Sequence, residues 1–181
     1  YIDLSGDDIS HIQGEDTHMG AGGTTLAPLD VQFLQDLSGS FGDDIANVRT
    51  LVPNIVTALQ SVQSNSMFGS STFVDKPTSP FGSAGDWVYQ TVLGLTNNAA
   101  SLASTYNAMV IHSGADEPEA QIEALMQLAL RPLEVGFRAD SARFVVLFTD
   151  APFHVAGNGA LGGVTNPNNG DVIVDATEDY P

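Results

Sequence analysis

The chain has 181 residues with 22 Asp and Glu but only five Lys and Arg, so its formal net charge is −17. This shortage of basic residues excludes a nucleic-acid groove and direct contact with an anionic membrane, because both surfaces need clustered positive charge. A cation is the partner that this composition favours. The chain has no Cys, which excludes disulfides and thiolate metal sites. It also has no apolar run of the ~18 residues that span a bilayer, and no stretch with the form of a secretion signal.

The N-terminal region differs in composition from the rest of the chain. Residues 1–28 are polar, rich in Gly and poorly periodic, which predicts an extended arm or linker. Residues 30–35 then have the apolar density of a β-strand, and turn-forming residues follow at 36–40. A folded domain is therefore expected from residue 29 to the end of the chain.

The next segment has the pattern of an amphipathic helix. Apolar residues recur at helical spacing from Ile45 to Leu59. Asp43 and Asp44 precede them, where the helix dipole favours negative charge. Pro53 lies inside this pattern and predicts a kink or a short break.

Strand and helix patterns alternate through the remainder. We predict a second strand over 67–74 and a loop rich in Pro, Gly and Ser over 76–85. Helical patterns cover 86–112 in two pieces and then 117–132, and residues 143–149 form a continuously apolar strand of the kind that is covered on both faces. This order predicts an open α/β sheet whose ligands bind at the carboxyl ends of the strands.

Oxygen-bearing side chains occur at those predicted strand ends. Asp36, Ser38 and Ser40 follow the first strand at a spacing of two, which turns their side chains toward one point in a tight loop. Asp150 ends the last strand, and Glu119 begins a helix after an acidic loop. Carboxylates and hydroxyls are ligands for Mg²⁺, Mn²⁺ or Ca²⁺ and do not suit thiophilic metals.

Several short segments carry a resemblance to a known family. Asp-Leu-Ser-Gly-Ser-Phe-Gly-Asp-Asp at 36–44 resembles the metal-ion-dependent adhesion site of integrin β-subunit I-like domains, a branch of the von Willebrand factor A fold. Segments at 72–81, 116–119, 148–151 and 177–181 resemble integrin β segments in the same order. The resemblance implies a doubly wound, Rossmann-like open sheet over residues 29–181. Because that fold should supply two further strands and two helices, the domain is expected to be C-terminally incomplete.

The resemblance implies three adjacent metal positions. The central one would take Asp36, Ser38, Ser40 and Glu119 directly, with Asp150 acting through water. Glu119 indicates the integrin β subtype, since most von Willebrand factor A domains have Thr there. An open coordination position near Ser38 and Ser40 would accept a carboxylate from outside.

The two flanking positions share ligands with the central one. The helix-side position would use the Ser40 carbonyl with Asp43 and Asp44. The third position would use Asp75, Asp116, the Pro118 carbonyl and Glu119. So many carboxylates close together would repel each other by several kcal/mol without cations, which supports the assignment on physical grounds.

The implied function is adhesion and not catalysis. Mg²⁺ or Mn²⁺ at the centre, with Ca²⁺ at one or two adjacent positions, would capture an Asp or Glu side chain of an acidic protein ligand. The expected location is extracellular or at a cell surface. The absence of an Asn-x-Ser/Thr sequon favours a microbial integrin β-like protein over an animal one.

Two departures from the family pattern limit which of the family's metal ligands and partners can be expected for this chain. Gly114 stands where the family has an Asn ligand for the third position, so that position loses a side-chain oxygen. The loop over 76–86 is short and has no Cys, so an α-subunit partner of the animal integrin kind is not expected.

Two other functional classes fit parts of the pattern. A metal-dependent hydrolase could use the acidic cluster with His112 or His154 as a base, although no hydrolase motif occurs and a lone His near a strand end is more often a loop or core residue. A Ca²⁺-stabilised structural module of a large secreted protein would keep the acidic cluster without an exchangeable ligand.

Overall fold

A computed structural model describes residues 26–167 and 169–172 of the chain. Its strands are β1 (Leu29–Asp36), β2 (Met67–Phe73), β3 (Gln90–Thr96) and β4 (Ala142–Phe148). Its α-helices are α1 (Ile45–Val62), α2 (Ala99–Ala108), α3 (Gln121–Leu130) and the single turn α4 (Pro132–Val135). Most of the predicted arm over 1–28, and the integrin-like segment at 177–181, lie outside the described residues.

The four strands form one sheet in the order β3-β2-β1-β4. β1 pairs in parallel with β2 on one side and with β4 on the other, so it is the central strand. Asp36 lies opposite Phe73 of β2, and Gln35 lies opposite Phe148 of β4. The carboxyl ends of the three parallel strands therefore meet at one edge, as the sequence predicts.

Helices cover both faces of the sheet. On one face Val31 and Phe33 of β1 pack in a core with buried residues of α1 and α2, among them Val52 and Tyr106. On the other face Leu34 packs with residues of α3. Because alternate residues of a strand point to opposite faces, β1 contributes to both cores. This is the doubly wound α/β arrangement that the sequence predicts.

The prediction of helix over the first part of 86–112 is wrong. Residues 90–96 form β3, which pairs antiparallel with β2 and covers its outer edge. Only Ala99–Ala108 is helical, and it begins at Asn98, whose side chain accepts hydrogen bonds from the amides of Ala100 and Ser101. The β-branched residues of β3 suit a half-buried strand, and its pairing with β2 decides between two local patterns that the sequence leaves ambiguous.

Two further predictions need correction. The first is the short break at Pro53, since α1 runs from Ile45 to Val62 with Pro53 inside it and its buried face packs against the sheet. The alternative of a kink at Pro53 stays a prediction. β4 is not covered on both faces, since Phe144 is 50% exposed and Val145 is 41% exposed. Within the described part of the chain β4 pairs only with β1 and forms an edge of the sheet. Among the described helices, none is long and apolar enough to cross a membrane.

Candidate metal and ligand-binding site

The candidate site lies at the point where the order of the strands in the sheet reverses. From β1 the chain proceeds to β2 on one side, and it returns to β4 on the other side. Crevices at such switch points, outside the carboxyl ends of parallel strands, are the usual ligand sites of open α/β sheets. Asp36 ends β1, and Asp150 follows β4 by two residues, so both border this crevice.

The loop after β1 folds its three oxygen-bearing side chains together. The amide of Ser38 donates to Asp36 Oδ1 at 2.8 Å, which closes a tight turn. Ser38 Oγ and Ser40 Oγ are 3.2 Å apart, and Ser40 Oγ donates to Asp150 Oδ1 at 2.9 Å. Thr149 Oγ1 donates to Asp36 Oδ2 at 2.8 Å. The structure thus places Asp36, Ser38, Ser40 and Asp150 in one hydrogen-bonded group.

Glu119 is held beside this group by backbone pairing. Its amide donates to the carbonyl of Pro152 at 2.9 Å, and its carbonyl accepts from the amide of His154 at 3.4 Å. These bonds join the segment before α3 to the segment after β4. Gln121 strengthens the same junction, since its Nε2 donates to Thr149 Oγ1 at 3.1 Å.

The electrostatics of the group favour a cation. Glu119 is 3% exposed, and its Oε2 has no hydrogen-bond partner. Burial raises the pKa of Glu119 to about 9, with the charges of Asp75 and Asp36 adding to the effect. Burial also raises the pKa of Asp36 above its usual value, and the nearby Asp150 contributes. A divalent ion bound among these oxygens would remove the repulsion and supply the missing partner.

The residues predicted for the helix-side position lie on the surface. Asp43 ends a short 3-10 helix over Ser40–Asp43, and Asp44 is the residue that precedes α1. Both are exposed. They follow Ser40 by three and four residues in the sequence.

The residues predicted for the third position converge with a histidine. Asp75, directly after β2 and Val74, is fully buried, whereas Asp116 is exposed and Pro118 is half-buried. Ligand atoms of Asp75, Asp116 and His154 all lie within 4.8 Å of one another. Burial raises the pKa of Asp116 to about 6, and the charge of Asp75 adds to this. His154 was not among the predicted ligands.

A small cleft connects these groups to solvent. Its volume is about 140 Å³, and its lining includes Ser40, Asp116, Glu119 and Asp150. Ligands of the predicted central and third positions therefore border one opening. Its size suits a carboxylate side chain better than a large organic molecule.

Comparison with known proteins decides the family. A family model for the integrin beta chain VWA domain matches residues 24–181. The chain belongs to this family. Integrin beta-2 of Ovis canadensis is 33% identical over 160 residues, covering 79% of this chain and 21% of the relative. Integrin beta-PS of Drosophila melanogaster is 31% identical over 166 residues, covering 84% of this chain and 20% of the relative.

This integrin β VWA domain thus spans about a fifth of the length of the curated relatives it matches. A solved structure of proximal thread matrix protein 1 from the mussel byssus superposes with a TM-score of 0.52 and 19% identity, covering 73% of this chain and 33% of that one. At this identity the likeness shows the fold alone. The resemblance inferred from the sequence motifs is confirmed at the level of family and fold.

Proposed function

We propose that this VWA domain is a divalent-cation-dependent adhesion module that captures a carboxylate of an acidic protein ligand. Mg²⁺ or Mn²⁺ would be held centrally by Asp36, Ser38, Ser40 and Glu119, with Asp150 acting through water. The observation that carries the proposal is the buried Glu119 Oε2, which has no hydrogen-bond partner beside further carboxylates. An isolated ionised carboxylate is too costly to bury unless a cation compensates it.

The neighbouring positions support the same function. We propose that Ca²⁺ binds on the helix side at the Ser40 carbonyl, Asp43 and Asp44. Ca²⁺ is a large cation with a flexible coordination geometry, and oxygen ligands from an exposed turn suit it. The third position, at Asp75, Asp116, the Pro118 carbonyl and Glu119, would share Glu119 with the centre and fix its orientation. Together the flanking ions would leave the central ion an open place near Ser38 and Ser40.

Binding explains the site better than hydrolysis does. His154 directs its Nε2 at Asp75, and His112 packs edge-on against Trp87 at 4.6 Å between ring centroids. In these positions each imidazole already serves a structural or ligand role. We therefore propose a non-enzymatic module, located outside the cell or on its surface. The short loop over 76–86 supports a partner other than an α subunit of the animal kind.

The test uses a displayed library of random peptides, because the natural ligand is not identified. Peptides captured in Mn²⁺ should carry an Asp or Glu, and exchange of that residue for Asn or Gln should abolish capture. Asp36→Asn should reduce Mn²⁺-dependent capture at least ~100-fold, as expected when a buried metal loses a charged ligand. Capture is measured by surface plasmon resonance with Mn²⁺ and with EDTA.

Asp140→Asn is the matched control. It removes the same charge from an exposed turn before β4, at the other end of the sheet, and should leave capture unchanged. Peptide capture that persists in EDTA, or that survives Asp36→Asn, would contradict the proposal.

A further inference from the structure

One buried amide joins the start of α3 to the segment that follows β4. Gln121 is 3% exposed, and its Nε2 lies among three oxygen atoms. It donates to Thr149 Oγ1 at 3.1 Å, to the Ala151 carbonyl at 2.8 Å and to the Pro152 carbonyl at 3.2 Å. Because an amide oxygen cannot donate, three acceptors around one atom fix the direction in which the amide points.

Thr149 transmits this orientation to Asp36. A hydroxyl has one proton to donate and two lone pairs that accept. The lone pairs of Thr149 Oγ1 accept from Gln121 Nε2 at 3.1 Å and from the Ala151 amide at 3.4 Å. The hydroxyl proton is thereby left for Asp36 Oδ2, which lies at 2.8 Å. Since the Ser38 amide donates to Oδ1 at 2.8 Å, both oxygens of Asp36 are held by a donor.

A purely structural role explains Gln121 less well. Its Oε1 is buried without a hydrogen-bond partner among the described residues. An orphaned acceptor destabilises a fold, and an apolar side chain of similar length, such as Met, would not bury one. The side chain therefore has a cost for stability, whereas its Nε2 is directed at the residue that holds Asp36.

We propose that Gln121 is a positioning residue for the central cation, acting through the Thr149 hydroxyl on the Asp36 carboxylate. Donors behind a ligating carboxylate fix its orientation, and loss of such a donor weakens metal binding by about 10–100-fold. None of the three residues that accept bonds from Gln121 is a predicted ligand, so its influence on the ion is indirect. The inference rests on the proposed function, because it assumes an ion at Asp36.

The experiment compares two buried glutamines of α3. Gln121→Met keeps the length of the side chain and removes its donors. Gln127→Met is the matched control, since Gln127 is also buried but its Nε2 donates to Glu123 Oε1 at 2.8 Å. Near-ultraviolet circular dichroism in EDTA reports whether each variant is folded.

Electron paramagnetic resonance measures Mn²⁺ binding to the full chain. The central ion is the bound Mn²⁺ that Asp36→Asn removes. We expect Gln121→Met to bind this ion about tenfold more weakly and to alter its spectrum, because Asp36 is no longer held in one orientation. Gln127→Met should match the wild type in both respects. Wild-type affinity and spectrum in a folded Gln121→Met protein, or equal weakening by Gln127→Met, would overturn the inference.

Thr149→Val tests the proposed route from the amide to the ion. It removes the hydroxyl and keeps the shape of the side chain. In this background Gln121→Met should change the affinity for Mn²⁺ by less than ~threefold, because the link to Asp36 is already broken. The same loss in both backgrounds would overturn the proposal, since Gln121 would then act by another route.

A measurement on the wild-type protein requires no variant to fold. The hydroxyl proton of Thr149, followed by nuclear magnetic resonance in EDTA, should exchange slowly with solvent. It is donated to Asp36, and two N–H groups donate to its oxygen. Exchange as fast as that of an exposed hydroxyl, such as that of Thr50, would contradict the inference.

The inference and the proposed function can fail separately. Peptide capture in Mn²⁺, with a central ion that is bound equally well without the Gln121 amide, would overturn this inference alone. A central ion that depends on Gln121, in a domain that captures no peptide, would support this inference and contradict the proposed function. If Asp36→Asn removes no bound Mn²⁺, both are overturned.

Discussion

The pKa of Glu119 depends both on its burial and on the other carboxylates of the site. Burial is the largest influence that disfavours its ionised form, and the charges of Asp75, Asp36 and Asp116 act in the same direction. A hydrogen bond with Ser38 only partly opposes them. We therefore expect the metal-free protein at neutral pH to hold a proton on Glu119 that the unfolded chain would release.

This protonation predicts an unusual pH dependence for the metal-free protein. The folded-state pKa of about 9 lies above the unfolded value of about 4.3, so the native state binds more protons between these limits. By linkage, the free energy of unfolding should fall as pH rises from 5 to 9, by up to ~1.4 kcal/mol per pH unit. Urea unfolding in EDTA at a series of pH values measures this slope.

Glu119→Gln provides the decisive comparison, because an uncharged amide cannot titrate. It should flatten the dependence above pH 7, beyond the pKa of about 6 that Asp116 has in the folded protein, whereas Asp140→Asn should keep the slope. A metal-free wild-type protein whose stability is constant or rises over this range would show that Glu119 is ionised without a cation.

At the scale of single elements, α1 contains a residue, Pro53, that destabilises the helix locally. Pro53 cannot donate the backbone hydrogen bond to the carbonyl of Arg49, and its ring crowds the preceding turn. The helix nevertheless continues to Val62, because Val48, Val52 and Val56 are buried against the sheet. Packing on one face therefore outweighs the local penalty.

Pro53→Ala should accordingly stabilise the domain. Restoring the hydrogen bond and removing the steric conflict should raise the free energy of unfolding by ~1–3 kcal/mol. Part of the gain is offset, since Ala leaves the unfolded chain more flexible than Pro does. Chemical denaturation at constant metal concentration gives the value. Unchanged or lower stability would mean that α1 accommodates Pro53 without a net cost.

The four strands differ in how well the sequence predicts them. β1, β2 and β4 were predictable because their apolar runs are bounded by turn signals. β3 was missed because its identity depends on antiparallel pairing with β2, a contact that no local period encodes. The same distinction holds for the site. The spacing of Asp36, Ser38 and Ser40 predicts their convergence, whereas His154 meets Asp75 across 79 residues of sequence.

At the scale of the whole molecule, cations bound at the proposed site would reduce the large negative net charge. Seven of the 22 carboxylates are assigned to the three metal positions, and three divalent ions would reduce the net charge from −17 to −11. Self-repulsion of this magnitude opposes the compact state. We propose that bound cations compensate the carboxylates of the site, since the chain has only five Lys and Arg.

Specific ion binding should be separable from general screening. NaCl should raise the melting temperature of the metal-free protein modestly, because it screens exposed charges. Mg²⁺ at 100 times its dissociation constant should add ~2.7 kcal/mol beyond NaCl of the same ionic strength. Differential scanning calorimetry compares the two salts. Equal effects would indicate screening alone, and unfolding of most molecules in EDTA would favour the Ca²⁺-stabilised structural module.

The most direct test of the central claim is anomalous diffraction from crystals of the domain grown with Mn²⁺. We predict a manganese peak among Asp36, Ser38, Ser40 and Glu119, with one coordination position open to the cleft that Ser40 and Asp150 line. No peak at this place, or an ion whose ligands all come from the protein, would contradict the account.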